Sequence, residues 1–214
     1  MYVRLIDGVA SYYTITDLRR DNPDTSFPIF PSDDALVSFN VYPCQSVEQP
    51  TVDYTKTVSL GDPVLSTDGW VQVWNISDAT SEEIYTRVEE CRNSKLREVK
   101  QNQAAVFNNG FTFDFGLQGI HSLDMRNADD KANWTLLLIK TQSLITTGMA
   151  DSTVTIRTAQ NEIITVSVTI ANQAITAILS WCENILNKKW TLDEAIKLAP
   201  DMESLTSINT SFSL

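Results

Sequence analysis

Apolar and polar residues alternate over short stretches up to Ile76, and the spacing then lengthens to that of helices. Met1 to Ile6 reads as a strand, and Asp7-Gly8 turns it back toward Ser11-Tyr12-Tyr13-Thr14, an opening hairpin. One helical turn is expected over Thr16 to Arg20, ending before Asp21-Asn22-Pro23, and another over Asp33 to Val37, after Pro31. A connecting segment from Pro43 to Pro50 leads to strands at Tyr54 to Leu60 and Trp70 to Ile76, with turns at Gly61-Asp62-Pro63 and Asp68-Gly69. In the second of these strands, alternation sends Trp70, Gln72 and Trp74 to one face and Val71 and Val73 to the other. The two tryptophans then either anchor a partner or pack on the helix that follows.

That helix is the clearest element. Thr80-x-x-Glu83 forms a capping box and Asn108-Asn109-Gly110 a stop, which predicts a helix from about Ser81 to Phe107. Ile84, Val88, Cys91, Val99 and Val106 fall in one narrow stripe, with Leu96 and Phe107 beside it. A long helix with so narrow a stripe suits a connector between modules or an oligomer seam, and the connector is the preferred reading.

Beyond Gly110, Phe111, Phe113 and Phe115 alternate with polar residues, and Gly116 to Gly119 lead into Ile120 to Met125, a second hairpin. Asn127 is placed to cap a helix to about Thr147, with Trp134, Leu138, Ile145 and Met149 on one face and Gly148 as terminator. Val154 and Ile156, the turn Ala159-Gln160-Asn161, then Ile164, Val166 and Val168 form a third hairpin. A helix from near Thr169 carries Ile175, Ile178, Leu179, Cys182, Ile185 and Leu186 on one stripe. A separate short helix is expected after the capping box Thr191-x-x-Glu194, ending at Pro200. The Ser/Thr-rich tail from Asp201 carries Leu205, Ile208, Phe212 and Leu214, so solvation and docking on a partner or second subunit are both open to it. The pattern predicts an α+β chain in four parts: a β-rich module over 1–78, a connecting helix over 79–109, an α+β domain of hairpins on helices over 110–199, and a tail over 200–214.

Charge narrows the partners. Sixteen Lys and Arg face 27 Asp and Glu, a formal net charge of −11, which repels phosphates rather than neutralising them, so nucleic acid is excluded as an expected partner. No apolar run approaches the roughly 20 residues that span a bilayer, and the opening residues lack the apolar stretch of a signal peptide, so no membrane partner and synthesis in a cytoplasm are expected. Cys44, Cys91 and Cys182 are odd in number and far apart, which favours free, inert thiols.

The residues that carry chemistry are sparse. His121 is the single histidine, so neither a metal site built on two imidazoles nor a histidine-dependent triad with a recognisable nucleophile turn is expected. Acidic pairs at Asp33-Asp34, Glu82-Glu83, Glu89-Glu90 and Asp129-Asp130 mostly lie at helix starts or on polar helix faces, where solvated charge accounts for them. No catalytic residue, cofactor or metal ligand is expected.

The first hundred residues resemble the N-terminal region of small phage tail-fibre accessory proteins, including those called tail-fibre assembly proteins. The resemblance rests on Leu18-Arg19-Arg20-Asp21-Asn22-Pro23-Asp24-Thr25-Ser26-Phe27-Pro28, Val41-Tyr42-Pro43, Asp53-Tyr54, Asp68-Gly69-Trp70, Gln72-Val73-Trp74 and Ala79-Thr80-Ser81-Glu82-Glu83-Ile84. The Arg-rich stretch and proline-terminated Trp segment of many such proteins have no counterpart here. The second half is similar, by hydrophobic pattern, to an uncharacterised domain often attached to phage tail proteins, matched at Gly110 to Asp114 and over the Val154 to Thr169 hairpin.

What the resemblance implies is a non-enzymatic protein that binds a tail-fibre or baseplate protein in the host cytoplasm and assists fibre assembly, either leaving afterwards or staying in the virion tail. A permanent structural component of tail, fibre or baseplate is the alternative, and a glycan-binding fibre tip the third reading. A homo-oligomer is compatible with each. A small acidic partner would cover the strand edges that a fibre exposes while it assembles. The expected interface is Tyr42, Tyr54, Trp70 and Trp74 on the N-terminal module, with Phe212 in the tail as a second place.

Overall fold

In the computed structural model, which describes residues 1–125 and 127–212, the chain opens with an antiparallel hairpin of β1 (Tyr2–Ile6) and β2 (Val9–Tyr13). Asp7 and Gly8, at φ 50° and 79°, form the expected turn. Two short helices follow, α1 (Ile15–Asp21) and α2 (Asp33–Val37). Thr14 and Asp17 close a capping box at the start of α1.

Strand β3 (Val41–Gln45) pairs with β1 and then, in parallel, with β6 (Gly69–Val71), which pairs with β5 (Val64–Ser66). The result is a five-stranded sheet in the order β2-β1-β3-β6-β5. One of its faces carries Tyr13 and Val41 into a core with Leu18 of α1 and Leu36 of α2, with Tyr2, Ile15, Phe27 and Phe39 packed against it. β4 (Lys56–Leu60) and β7 (Trp74–Asp78) make a separate antiparallel ribbon.

Two expectations change here. The connecting segment expected from Pro43 to Pro50 begins later, because Pro43 to Gln45 belong to strand β3, which starts at Val41. The strand expected from Trp70 to Ile76 is broken at Gln72 and Val73, so Trp70 and Trp74 belong to different sheets. The break is held by distant partners: Gln72 N–H donates to Gln45 O, and the buried Gln72 Oε1 accepts from Ser46 Oγ at 3.0 Å and Val47 N at 3.4 Å. Val73 N–H donates to Tyr12 Oη at 3.2 Å.

Helix α3 (Ser81–Asn109) begins at the Thr80/Glu83 capping box, whose reciprocal bonds measure 2.8 and 3.2 Å. It ends at Gly110, φ 75°, where a Cβ would lie 3.0 Å from Leu123 O. Val88 and Val99 of the expected stripe are buried, and Ile84, Cys91, Leu96, Val106 and Phe107 are half-buried. The chain divides into two compact units, Met1–Arg87 and the part from Val88 onward, so the division falls within α3.

The second unit contains the β8 (Phe111–Asp114)/β9 (Ile120–Leu123) hairpin, α4 (Ala128–Thr146) and the β10 (Thr153–Arg157)/β11 (Ile163–Ser167) hairpin. α5 (Val168–Leu198) and α6 (Met202–Ser207) complete it. Its core joins Val154, Ile156, Ile164 and Val166 from one face of the second hairpin to Trp134 of α4 and Ala171, Ala174, Ile175 and Ile178 of α5. The overall class is α+β, as the sequence pattern predicts.

Three expectations change in this unit. On α4, Trp134 and Thr141 are buried while Ile145 and Met149 are exposed, because the face against α5 is continued by Leu137, Leu138 and Leu144. α5 starts at Val168 and runs unbroken to Leu198, with no second helix starting at Thr191. The Thr191 hydroxyl donates 3.0 Å back to Asn187 O, so it serves the running helix instead of capping a new one. The tail folds back on its own unit, with Leu205, Thr210 and Phe212 buried. Leu214, the last of the tail's expected apolar residues, lies outside the described residues.

Candidate functional site

The candidate site is a hollow of about 450 Å³ on the N-terminal sheet, lined by Leu5, Tyr42, Pro43, Leu65, Asp68, Gly69 and Trp70. Strand register brings Leu5, Tyr42, Leu65 and Trp70 together. Val3 lies opposite Tyr42, Cys44 opposite Trp70, and Trp70 opposite Leu65, so with Leu5 two residues after Val3 they share a face. The other face, carrying Tyr13 and Val41, is the one that α1 and α2 cover. The face of the hollow, on which Val3 and Cys44 are buried, opens toward edge strand β5, where Val64 and Leu65 are 54% and 63% exposed.

The chemistry of the hollow is apolar and aromatic. Its one carboxylate is Asp68, in the tight turn that Ser66 Oγ fastens by donating to Gly69 O at 2.9 Å and accepting from Asp68 N–H at 3.2 Å. Such a lining fits a partner's apolar side chains or main chain, which gain by leaving water there.

Of the expected interface residues, Tyr42 and Trp70 meet in this hollow. Tyr54 borders a separate recess of about 740 Å³ beside Arg87. There the Arg87 guanidinium donates to Tyr54 O and Lys56 O at 2.8 Å and to Thr57 Oγ1 at 3.0 Å, which fixes the entry to β4. Trp74 sits on the β4/β7 ribbon with its indole N–H donating to Val47 O at 2.9 Å. Phe212 is buried in the second unit with the Lys188 ammonium 6.0 Å from its ring centroid, so its surface is already taken by its own chain.

Sequence reasoning misses Leu5, Pro43 and Leu65. Val64-Leu65, an apolar pair between Asp62-Pro63 and Asp68-Gly69, was the available signal for an exposed edge.

The titratable groups outside the hollow serve the scaffold. Tyr13 donates to Asp21 Oδ2 at 2.7 Å, and Arg4 reaches the same oxygen at 2.7 Å. Burial, and then the bond to Asp21, push the Tyr13 hydroxyl up to about 12; that bond in turn draws the Asp21 carboxyl below the usual carboxylate range. His121 Nε2 lies 2.7 Å from Gln118 O and Nδ1 3.3 Å from Glu162 Oε2, tying the turns of the two hairpins. All three cysteines are free thiols, and burial raises Cys44 and Cys182 above the ordinary thiol range. Among the described residues no helix is long and apolar enough to cross a membrane. Comparison with family models, with curated proteins and with solved structures finds no match for this chain.

Proposed function

We propose that this chain is a non-enzymatic protein of a tailed phage that binds the tail fibre through the Tyr42/Trp70 hollow and assists fibre assembly. The observation that carries this reading is the hollow itself, an apolar, aromatic surface on a partly open sheet face beside an exposed edge strand. It accompanies the resemblance of the first hundred residues to tail-fibre accessory proteins, whose matching words include both Tyr42 and Trp70. Assembling fibres expose strand edges and apolar surface, and an acidic protein with a receptive apolar face would shield them.

Quantitative mass spectrometry of purified virions beside crude lysate tests the role. Presence in lysate and absence from virions is the expected result for a departing assembly factor, and a fixed ratio to the fibre protein in virions means a retained component. Co-purification of the fibre with the Trp70→Ala/Tyr42→Ala variant tests the surface. Fibre recovery is expected to fall by at least about tenfold, the loss of one or two aromatic anchors, with the melting curve nearly unchanged. Full recovery by that variant would reject the hollow as the interface.

A further inference from the structure

A hollow of about 380 Å³ lies within the second unit, between β10 and α4. The end of β10, residues 155–158, lines one wall, and Asp130, Asn133, Trp134 and Leu137 of α4 line the other. A run of consecutive strand residues borders a cavity only where the strand presents its edge, because successive side chains leave on opposite faces. Positions 130, 133, 134 and 137 are three and four residues apart and so share one face of the helix. The hollow is therefore a groove along the free edge of β10, whose other edge is taken by β11.

Two hydrogen bonds fix which main-chain groups face this groove. Thr158 N–H donates to Glu162 O at 2.9 Å at the turn end of the hairpin, and Val168 N–H donates to Ser152 O at 2.9 Å at the other end. Between them the antiparallel ladder alternates, so Val154 and Ile156 exchange bonds with Val166 and Ile164. Thr155 and Arg157 thus direct N–H and C=O away from β11, and among the described residues no further bond engages those groups. Two residues on, the same edge is already paired, since Ala159 N–H donates to Ser122 O of β9 at 2.8 Å. β9 ends one residue later, at Leu123, and Asp124 closes that end of the groove. A third strand is begun beside β10 at Ala159 and is not continued past Arg157 and Thr155.

The remaining lining narrows the occupant. Trp134 and Ile156 form an apolar floor that is 7% and 2% exposed, so an occupant rests on the core without opening it. Asp130, on the α4 wall, gives one carboxylate oxygen to Asn127 N–H at 3.3 Å and brings negative charge to the groove. We infer that the groove binds an extended segment of a partner polypeptide as a third strand on β10. Its main chain pairs with Thr155 and Arg157. Alternate residues of a strand share a face, so the segment turns inward an apolar residue, onto Trp134 and Ile156, and two positions along a lysine or arginine, toward Asp130. This site is separate from the Tyr42/Trp70 hollow and independent of that hollow's role.

The test selects ribosome-displayed random linear peptides on the full chain, after removing those that also bind Asn133→Trp. The added ring is placed to fill the groove, and that variant keeps the Tyr42/Trp70 hollow. Enrichment of peptides with an apolar residue and a lysine or arginine two positions apart is expected. A synthetic copy of an enriched peptide should slow amide hydrogen exchange at Thr155 and Arg157. It should also bind Thr155→Pro at least about tenfold more weakly, the effect of losing one main-chain donor. Proline there removes an N–H that takes no part in the β10/β11 ladder, so the circular-dichroism spectrum should stay unchanged. No enrichment over the Asn133→Trp chain overturns the groove, and enriched peptides without the cation overturn the role of Asp130. Enriched peptides that leave exchange at Thr155 and Arg157 unmoved overturn strand addition; exchange is read on the unsubstituted chain and does not depend on either variant folding.

Discussion

In the N-terminal unit two short helices cover one face of a five-stranded sheet, and part of the other face stays open, whereas in the second unit two hairpins and two long helices converge on one core. The first unit relies on few buried apolar side chains and on polar ties such as Arg4–Tyr13–Asp21 and Arg87 on β4. The second relies on close packing, with Ala171 and Ala174 of α5 offering short side chains within that core and Val154 opposite Val166, Ile156 opposite Ile164 across its hairpin. An apolar sheet face that must accept a partner is compatible with the first economy and would be difficult to spare from the second.

The largest expected effect lies in the packed unit. Ile175→Asp places an unpaired carboxylate where the side chain is fully buried, which should cost more than about 4 kcal/mol and remove the helical circular-dichroism signal of α4 and α5. Retention of that signal would mean the core tolerates water, and the contrast between units would lose its basis. Leu18→Ala should cost about 2–5 kcal/mol, seen as an earlier chemical-denaturation transition of the N-terminal unit with the second unit's transition unmoved. A joint shift of both transitions would show that the two units do not unfold independently.

Arg92→Met keeps much of the side chain's bulk but leaves the carbonyls of Ile196, Lys197 and Ala199 without their shared donor. The expected loss is about 1–3 kcal/mol, with faster amide hydrogen exchange confined to the end of α5 and to α6. The smallest effect is in the N-terminal unit. Because the fold favours the neutral Tyr13 phenol, its contribution is complete below the ordinary tyrosine value of about 10 and is lost as pH rises through about 12. Phenolate absorbance should show one tyrosine ionising last, and Asp21→Asn should bring that phase to lower pH by removing the charge that accepts its hydrogen bond.

The readable parts of the fold were those decided by neighbours in the chain. Thr80 with Glu83, Asn127 with Asp130, and Gly110 announced helix ends through bonds three or four residues long, and the alternation of Val154, Ile156, Ile164 and Val166 marked a hairpin with one buried face. The unreadable parts depended on distant groups. Val41-Tyr42-Pro43 becomes a strand because β1 and β6 flank it, and the Trp70 strand stops where Gln72 meets Ser46 and Val47. Thr191 fits the capping pattern, yet nothing near it opposes continuation of the helix. At the candidate site, Tyr42 and Trp70 could be nominated as aromatics, but that they share a face follows from the Cys44–Trp70 pairing of two strands far apart in sequence. The same reasoning misplaced Trp74, since alternation assumes an unbroken strand.

The grip on the tail also sets which of its positions can drift. Lys95 and Asn102 of α3 donate to the Ile208 and Thr210 carbonyls, which every residue supplies, so replacing Ser211 leaves those bonds in place, while Asn209 Oδ1 accepts from Ser211 N–H at 3.0 Å and Leu205, Thr210 and Phe212 fill defined places. A library randomised over 205–212 and selected for folding should therefore return Leu205, Thr210 and Phe212, favour Asn or Asp at 209, and leave a near-random spelling at 211.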